Sequence, residues 1–278
     1  MKEKRFIEQC AEILEKVITN KPLVHHITNY VTVNDCANIT LSIGASPIMA
    51  DAIEEVNEIV SISSSLVLNI GTLNNRTVQS MIASGKKANE INIPVIFDPV
   101  GAGASSFRNS TTKDILEKVK IDILRGNISE IRYIAGLSSN TKGVDASESD
   151  KNNPSKEAAE IAYSLAKKQK CIVAITGAID VISDGTRTFY VENGHPALSN
   201  ITGTGCMCSS LVGSFNGAAP DLPLQATVAA LLCMGIAGEI AYEKAGKLGN
   251  GSFRSAIIDA ISNMNTNILL ERSRFYEK

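Results

Sequence analysis

A chain of 278 residues, 44% hydrophobic and 20% charged, can bury a large core, and its length suits one α/β domain or two smaller ones. Its formal net charge of -2 and pI near 6.0, with no block of lysine and arginine, offer no basic face to nucleic acid or to an acidic membrane surface. Charged N-terminal residues have no apolar signal core behind them, and six cysteines without a Cys-x-x-Cys pair, beside three histidines, argue against structural zinc, so reduced thiols in a cytoplasmic protein are expected.

Residues 6–18 read as an amphipathic helix with Phe6, Cys10, Ile13, Leu14 and Val17 on one face, stopped by Pro22. Residues 22–34 are dense in β-branched side chains interleaved with His, Thr and Asn, and predict a strand or extended loop at their start. His25 and His26 are either general bases or satisfied structural histidines. Asn34 or Asp35 is the expected cap of a helix running towards Gly44. Residues 44–51 then predict a short strand with a polar end, where Met49 is either core or the wall of a pocket for a soft heteroaromatic ring.

From here the chain alternates. Apolar runs at 66–72, 94–103, 121–127 and 171–177 each end in polar and glycine residues, and helical patterns separate them. The first helix carries Val78, Met81 and Ile82; Thr111 or Thr112 is expected to open the next; residues 129–134 form a short one. Residues 146–154 read as a surface loop, and Asn153-Pro154 as the start of another helix. Near-continuous apolar strands separated by helices predict an open, mostly parallel α/β sheet with helices on both faces. Residues 178–183 and 187–192 flank Asp184-Gly185-Thr186 as a hairpin extending that sheet. Helical segments at 206–216, 224–244 and 252–270 complete the chain. The apolar run at 228–240, broken by Gly235, Gly238 and Glu239, is short for a membrane span and reads as a core helix. No linker demands a boundary, so residues 1–278 are expected to form one domain.

In such a sheet ligands bind outside the carboxyl ends of the strands. Asn69-Ile70-Gly71-Thr72, Asp98-Pro99, Arg125-Gly126-Asn127 with Glu130, and Thr176-Gly177 all fall there. Asp98 and Glu130 are oxygen donors of the kind Mg²⁺ takes, or else a capping aspartate and a solvated glutamate. Arg125 either clamps phosphate or forms a structural ion pair, and Thr176 either donates to phosphate or ends a strand. The stretch Asn200-Ile201-Thr202-Gly203-Thr204-Gly205-Cys206 leads into an apolar helix whose free N–H groups form an anion site, or is simply a glycine-rich turn. There is no Gly-x-x-x-x-Gly-Lys-Ser/Thr loop and no dinucleotide fingerprint after the first strand, which weighs against an NAD-linked oxidoreductase.

Across nearly its whole length the sequence resembles the hydroxyethylthiazole kinase family, thiamine-salvage enzymes of the ribokinase-like fold. The resemblance rests on Leu23-Val24-His25-His26-Ile27-Thr28-Asn29-Tyr30-Val31-Thr32, Gly44-Ala45-Ser46-Pro47-Ile48-Met49-Ala50-Asp51, Leu68-Asn69-Ile70-Gly71-Thr72-Leu73, Asp98-Pro99-Val100-Gly101, Arg125-Gly126-Asn127 with Glu130, Asn193-Gly194-His195-Pro196 and Thr202-Gly203-Thr204-Gly205-Cys206. It implies ATP- and Mg²⁺-dependent phosphorylation of 4-methyl-5-(2-hydroxyethyl)thiazole. It places Met49, Gly203 and Asn29 on the thiazole, Arg125 and Thr176 on ATP, Asp98 and Glu130 on Mg²⁺, and Cys206 where ribokinase relatives usually carry an aspartate base. It also implies a homotrimer with substrate pockets between subunits. A thiol at a helix N-terminus can have its pKa lowered, but a thiolate would repel the incoming phosphoryl group, so Cys206 is expected to be a positioning group and modest proton acceptor, not a covalent nucleophile. Residues 248–253 depart from the family's usual Gly-Pro-Gly-Ser-Phe pattern but keep glycine, serine and phenylalanine. The alternatives are a kinase of another small alcohol, such as hydroxymethylpyrimidine, and a non-catalytic nucleotide-binding sensor.

Overall fold

A computed structural model describes residues 2–137 and 154–278. Helix α1 (Lys2–Asn20) precedes β1 (Leu23–Ile27), α2 (Val33–Ser42), β2 (Ser46–Met49), α3 (Val56–Ser61), β3 (Ser65–Asn69), α4 (Asn75–Ile91) and β4 (Val95–Asp98). Then come α5 (Ser106–Lys118), β5 (Ile123–Asn127), α6 (Ile128–Ile134), α7 (Pro154–Gln169), β6 (Ile172–Thr176), β7 (Asp180–Ser183) and β8 (Thr188–Val191). A 3-10 turn (Pro196–Asn200) leads to α8 (Thr204–Ala218), α9 (Pro223–Ala245), α10 (Asn250–Ser262), α11 (Thr266–Arg272) and β9 (Phe275–Glu277). Apart from Pro154, the expected loop at 146–154 lies outside the described residues.

Among the described residues, nine strands form one sheet in the order β2-β1-β3-β4-β5-β6-β7-β8-β9, parallel from β2 to β6 and antiparallel beyond. Side-chain alternation along the strands explains why both faces need helices. Leu66, Leu68, Val95, Phe97 and Leu124 face one apolar cluster, with α4 to α7 packed over it. Val67, Ile96 and Ile123 face the other, filled by α1, α2 and α8 to α11. Helix α9 is long and apolar enough to cross a bilayer, but 83% of its apolar window is buried in this second cluster. It is a core helix.

Both histidines of β1 are buried. A ring nitrogen of His25 lies 2.7 Å from the Ala50 carbonyl, and one of His26 lies 3.0 Å from that of Val24. Burial lowers both pKa values, that of His26 to about 4. Burial thus favours their neutral forms, each held by one backbone carbonyl. The hairpin forms as expected, because the Asp184 carboxylate accepts the Thr186 and Arg187 N–H groups and Gly185 takes a φ of +82°.

Three local expectations are corrected. Helix α5 starts at Ser106, because the Ser105 hydroxyl accepts the Arg108 N–H; Thr111 and Thr112 are buried inside the helix. Helix α2 is entered from Thr32 without a side-chain cap, and Arg254 engages the Asp35 carboxylate instead. The expected helix at 252–270 is two helices, because α10 ends at Ser262 and the Asn265 side chain, accepting the Ile268 N–H, caps a new start at Thr266. In the segment that departs from the family pattern, Gly249 takes a φ of +110° before α10 and Phe253 is buried.

Helix α8 lies unusually close to the sheet. A Cβ on Gly213 would sit 2.6 Å from Val67 Cγ2 and 3.1 Å from Val24 Cγ1. The Ser65 hydroxyl donates to the Gly213 carbonyl at 2.8 Å. Gly213→Ala should therefore destabilise the protein by roughly 1–3 kcal/mol through overpacking, against a helix-propensity gain of about 1 kcal/mol. A urea-unfolding midpoint that stays put or rises would contradict this packing.

Candidate active site

The parallel strands end side by side at Ile27, Met49, Asn69, Asp98, Asn127 and Thr176. The first turn of α8 lies over that edge. Its N-cap, Gly203, takes a φ of +95°, and a Cβ there would lie 2.7 Å from Thr32 Cγ2, so glycine is required twice over. The first helical bond is Met207 N–H to the Gly203 carbonyl at 2.8 Å, and no side chain caps this end. The N–H groups of residues 204–206 therefore point out of the helix without intrahelical partners.

Two buried carboxamides join this turn to the strands. Asn29 Nδ2 donates to Asn69 Oδ1 at 3.0 Å and to Cys206 Sγ at 3.3 Å. Asn69 Nδ2 donates to Asp98 Oδ2 at 2.9 Å and to Cys206 Sγ at 3.3 Å. Asn29 Oδ1 accepts from the N–H and hydroxyl of Thr32, and Asn69 Oδ1 also accepts the Gly71 N–H. Each amide group thus makes two donor and two acceptor bonds, which fixes its orientation.

The line continues through charge. Asp98 Oδ2 also accepts from the Ser209 hydroxyl at 2.8 Å and stands 3.7 Å from Arg125 Nη1. Arg125 Nη2 donates to Thr176 Oγ1 at 2.6 Å. A Cβ on Gly205 would lie 2.8 Å from Arg125 Nη1, so the guanidinium rests against the first turn of α8. Glu130 closes a capping box at α6, with Oε1 accepting from Gly101 N–H and Oε2 from Asn127 N–H, both at 2.8 Å. A groove of about 1130 Å³ opens beside Thr176 and Gly177, bordered by Gly101, Gly103, Glu130 and Tyr133.

The structure thus links Asn29, Cys206, Asp98, Arg125 and Thr176 in one chain of contacts. It places Gly203 at the helix entry and Glu130 under the neighbouring loop. Met49 stands at the same edge, half-buried at the end of the outermost strand. Three residues without an assigned role in the sequence also belong here: Asn69, Ser209 and Asp180. Asn69 was visible as a polar strand end, but its contacts with Asn29 and Cys206 depend on the fold. Nothing in the local pattern marks Ser209. Asp180 accepts the Gly177 N–H at 2.9 Å, and desolvation pushes its pKa up to about 7 despite that bond and Arg125.

Burial raises the Asp98 carboxyl above the usual carboxylate range, against the pull of Arg125. Arg125 is desolvated too, yet Asp98, Cys208 and Asp180 hold its proton on. The helix N-terminus does not lower the pKa of Cys206. Burial and then the Asp98 charge raise its pKa, and Thr32, Asn29 and Asn69 only partly offset them. The helix end is outweighed because the thiol is largely out of water.

Asp98 Oδ1 is buried with no hydrogen-bond partner, which is an unspent acceptor for a cation. Both Glu130 oxygens already hold backbone N–H groups, leaving lone pairs for an ion's water shell. Among the described residues no three His, Cys, Asp or Glu side chains gather as a metal cage. The donor set fits a hard cation held by one or two carboxylates, water and phosphate oxygens, the habit of Mg²⁺.

A model of the hydroxyethylthiazole kinase family matches residues 14–267. A hydroxyethylthiazole kinase from Clostridium beijerinckii is 63% identical over 97% of both chains, and one from Ruminiclostridium cellulolyticum 61% over 98% of both. The solved hydroxyethylthiazole kinase protein of Pyrococcus horikoshii superposes with a TM-score of 0.88 at 39% identity, over 98% of this chain and 99% of that one. Pyridoxal kinase from Staphylococcus aureus, in complex with ADP, shares the fold at a TM-score of 0.60 and 14% identity, over 79% of this chain and 88% of that one.

Five of the six cysteines are buried and Cys206 is half-buried. Iodoacetamide should therefore modify Cys206 first in the folded protein. Because its pKa is raised, its thiolate fraction should grow about tenfold per pH unit from roughly pH 7 to 9, and the labelling rate with it. A rate that is flat over that range would mean the thiol is already ionised and would contradict the burial argument.

Proposed function

The chain belongs to the hydroxyethylthiazole kinase family, kinases with ATP as co-substrate, and we propose that its strand-edge cluster transfers the γ-phosphoryl of ATP to the primary alcohol of 4-methyl-5-(2-hydroxyethyl)thiazole in thiamine salvage. The observation that carries this reading is the uncapped first turn of α8, with Cys206 held by two amides on one side and Arg125 resting on the other. Phosphoryl transfer needs alignment and charge stabilisation more than covalent chemistry, and this turn supplies both.

The triphosphate lies along the groove beside Thr176, with Arg125 and Thr176 as its side-chain donors. The N–H groups of residues 204–206 receive the γ-phosphoryl oxygens. Met49, Gly203 and Asn29 border the thiazole. Asp98, with its unspent oxygen, and Glu130 would hold Mg²⁺, which would supply charge neutralisation on the phosphates. Residues 1–278 act as one kinase domain. The exposed apolar side chains Tyr30, Val31 and Leu41, in the segment that joins β1 to edge strand β2, support a homotrimer with pockets between subunits. The setting is the cytoplasm, where the free thiols stay reduced.

The amide pair explains how a cysteine serves here. A neutral thiol has two sulfur lone pairs, and two N–H groups point at them. Its own proton then faces away from both amides and can donate to the substrate hydroxyl oxygen, which orients that hydroxyl. As a thiolate, the sulfur keeps a third lone pair that can accept the hydroxyl proton. The raised pKa favours the neutral form, which also avoids repelling the incoming phosphoryl group. Cys206 is thus a positioning group as the thiol and a modest proton acceptor only in its minor thiolate form, not a covalent nucleophile.

Purified protein with Mg-ATP should convert hydroxyethylthiazole, and not hydroxymethylpyrimidine, to its phosphate by mass spectrometry. Product from the pyrimidine alone would overturn the substrate, and ATP binding without product would favour a sensor. Cys206→Ser should cost no more than about 10²–10⁴-fold in kcat, the usual cost of removing a base. Cys206→Asp, which restores a stronger acceptor, should keep or raise kcat; a folded but inactive Asp variant would contradict the assignment.

A further inference from the structure

Arg108 has no place in the chemistry above, yet its guanidinium reaches two loops of the site at once. Nη1 donates to the Ile70 carbonyl and to that of Val100 at 2.6 Å, and Nη2 donates to the Gly71 carbonyl at 2.7 Å. Ile70 and Gly71 follow β3; Val100 follows β4. The side chain starts from the first turn of α5, where its own N–H is held by the Ser105 cap. Its stem runs across Gly101, where φ is +72° and a Cβ would lie 3.1 Å from Arg108 Cδ. A side chain at 101 would push the fork away.

The carbonyls it holds belong to peptides adjoining two site-facing N–H groups. Gly71 N–H, in the Ile70-Gly71 peptide, donates to Asn69 Oδ1, and Gly101 N–H, in the Val100-Gly101 peptide, donates to Glu130 Oε1. A peptide plane is rigid, so fixing its C=O fixes the direction of its N–H. The Ile70 and Val100 carbonyls are the other ends of those two planes. Charge-assisted bonds to three carbonyls from one planar fork define this geometry better than neutral bonds or a flexible ammonium could.

We infer that Arg108 is a positioning residue, which locks these two peptide planes so that one N–H orients Asn69 against Cys206 and the other holds Glu130. The inference rests on the proposed kinase reading for its kinetic consequence, but its structural part stands apart from it. Arg108 touches neither reacting group, so removing it should disturb alignment rather than binding of the alcohol.

The test compares Arg108→Ala and Arg108→Lys with wild type under saturating Mg-ATP, well below each variant's unfolding temperature. Arg108→Ala should lose about 10–100-fold in kcat with the KM for the alcohol changed less than about threefold, a split expected when only alignment suffers. Arg108→Lys should fall between. Combined with Asn69→Ala, it should cost much less than the product of the two single losses, because both act on one element. Amide hydrogen exchange of peptides containing Gly71 and Gly101 should speed up at least about tenfold in Arg108→Ala. Exchange unchanged at both glycines overturns the inference even if the wild type proves inactive. Accelerated exchange with kcat unchanged, or with fully multiplicative losses, overturns the catalytic consequence. A wild type without kinase activity sinks the functional reading instead, and the exchange result still decides the orientation.

Discussion

Asn69 stands between an acid, a thiol and a second amide, and it has no spare hydrogen-bonding direction. Its nitrogen binds Asp98 and Cys206; its oxygen binds Asn29 and the Gly71 backbone. A buried amide left half-satisfied would cost more than its bonds are worth, so the whole arrangement forms together or not at all. That constraint fixes where β3, β4 and α8 end relative to one another. The close approach of α8 at Gly213 and the entry at Gly203 are what allow the helix to reach the strand ends.

Electrostatics gives the arrangement its chemical character. Asp98 is buried beside Arg125, and the pair is held by Asn69, Ser209 and Thr176. A carboxylate with one oxygen fully bonded and the other bare is poised for a cation. A thiol lifted in pKa by the same burial stays neutral next to it. The site therefore places Arg125 and the N–H dipoles of α8 on the path of phosphate, and keeps the neighbouring thiol predominantly protonated and uncharged.

Much of this was legible in the sequence. The four apolar runs became β3 to β6, because strands covered on both faces need unbroken apolar character. Their polar ends then had to share one edge, which is why Asp98, Arg125 and Thr176 could be picked out. Helix starts were harder. Several hydrogen-bonding residues stood in a row, and only packing chose Ser105 over Thr111 and left Asn34 and Asp35 uncapping. The break between α10 and α11 was hidden by a periodicity that continues across it. Asn69, Ser209 and Arg108 carry roles defined by partners 29 to 137 residues away, which no local pattern records. Cys206 was placed correctly at a helix entry, but the direction of its pKa depends on burial, and the sequence does not show how deep that turn lies.

The central claim is that the alcohol attacks phosphorus directly, with Cys206 orienting it and accepting at most its proton, never the phosphoryl group. The stereochemical course of transfer from ATP made chiral at its γ-phosphorus with three oxygen isotopes tests this most directly. A single in-line displacement inverts the configuration in the thiazole phosphate, and the account predicts inversion. Retention would require two displacements through a phosphorylated protein group, and would contradict it.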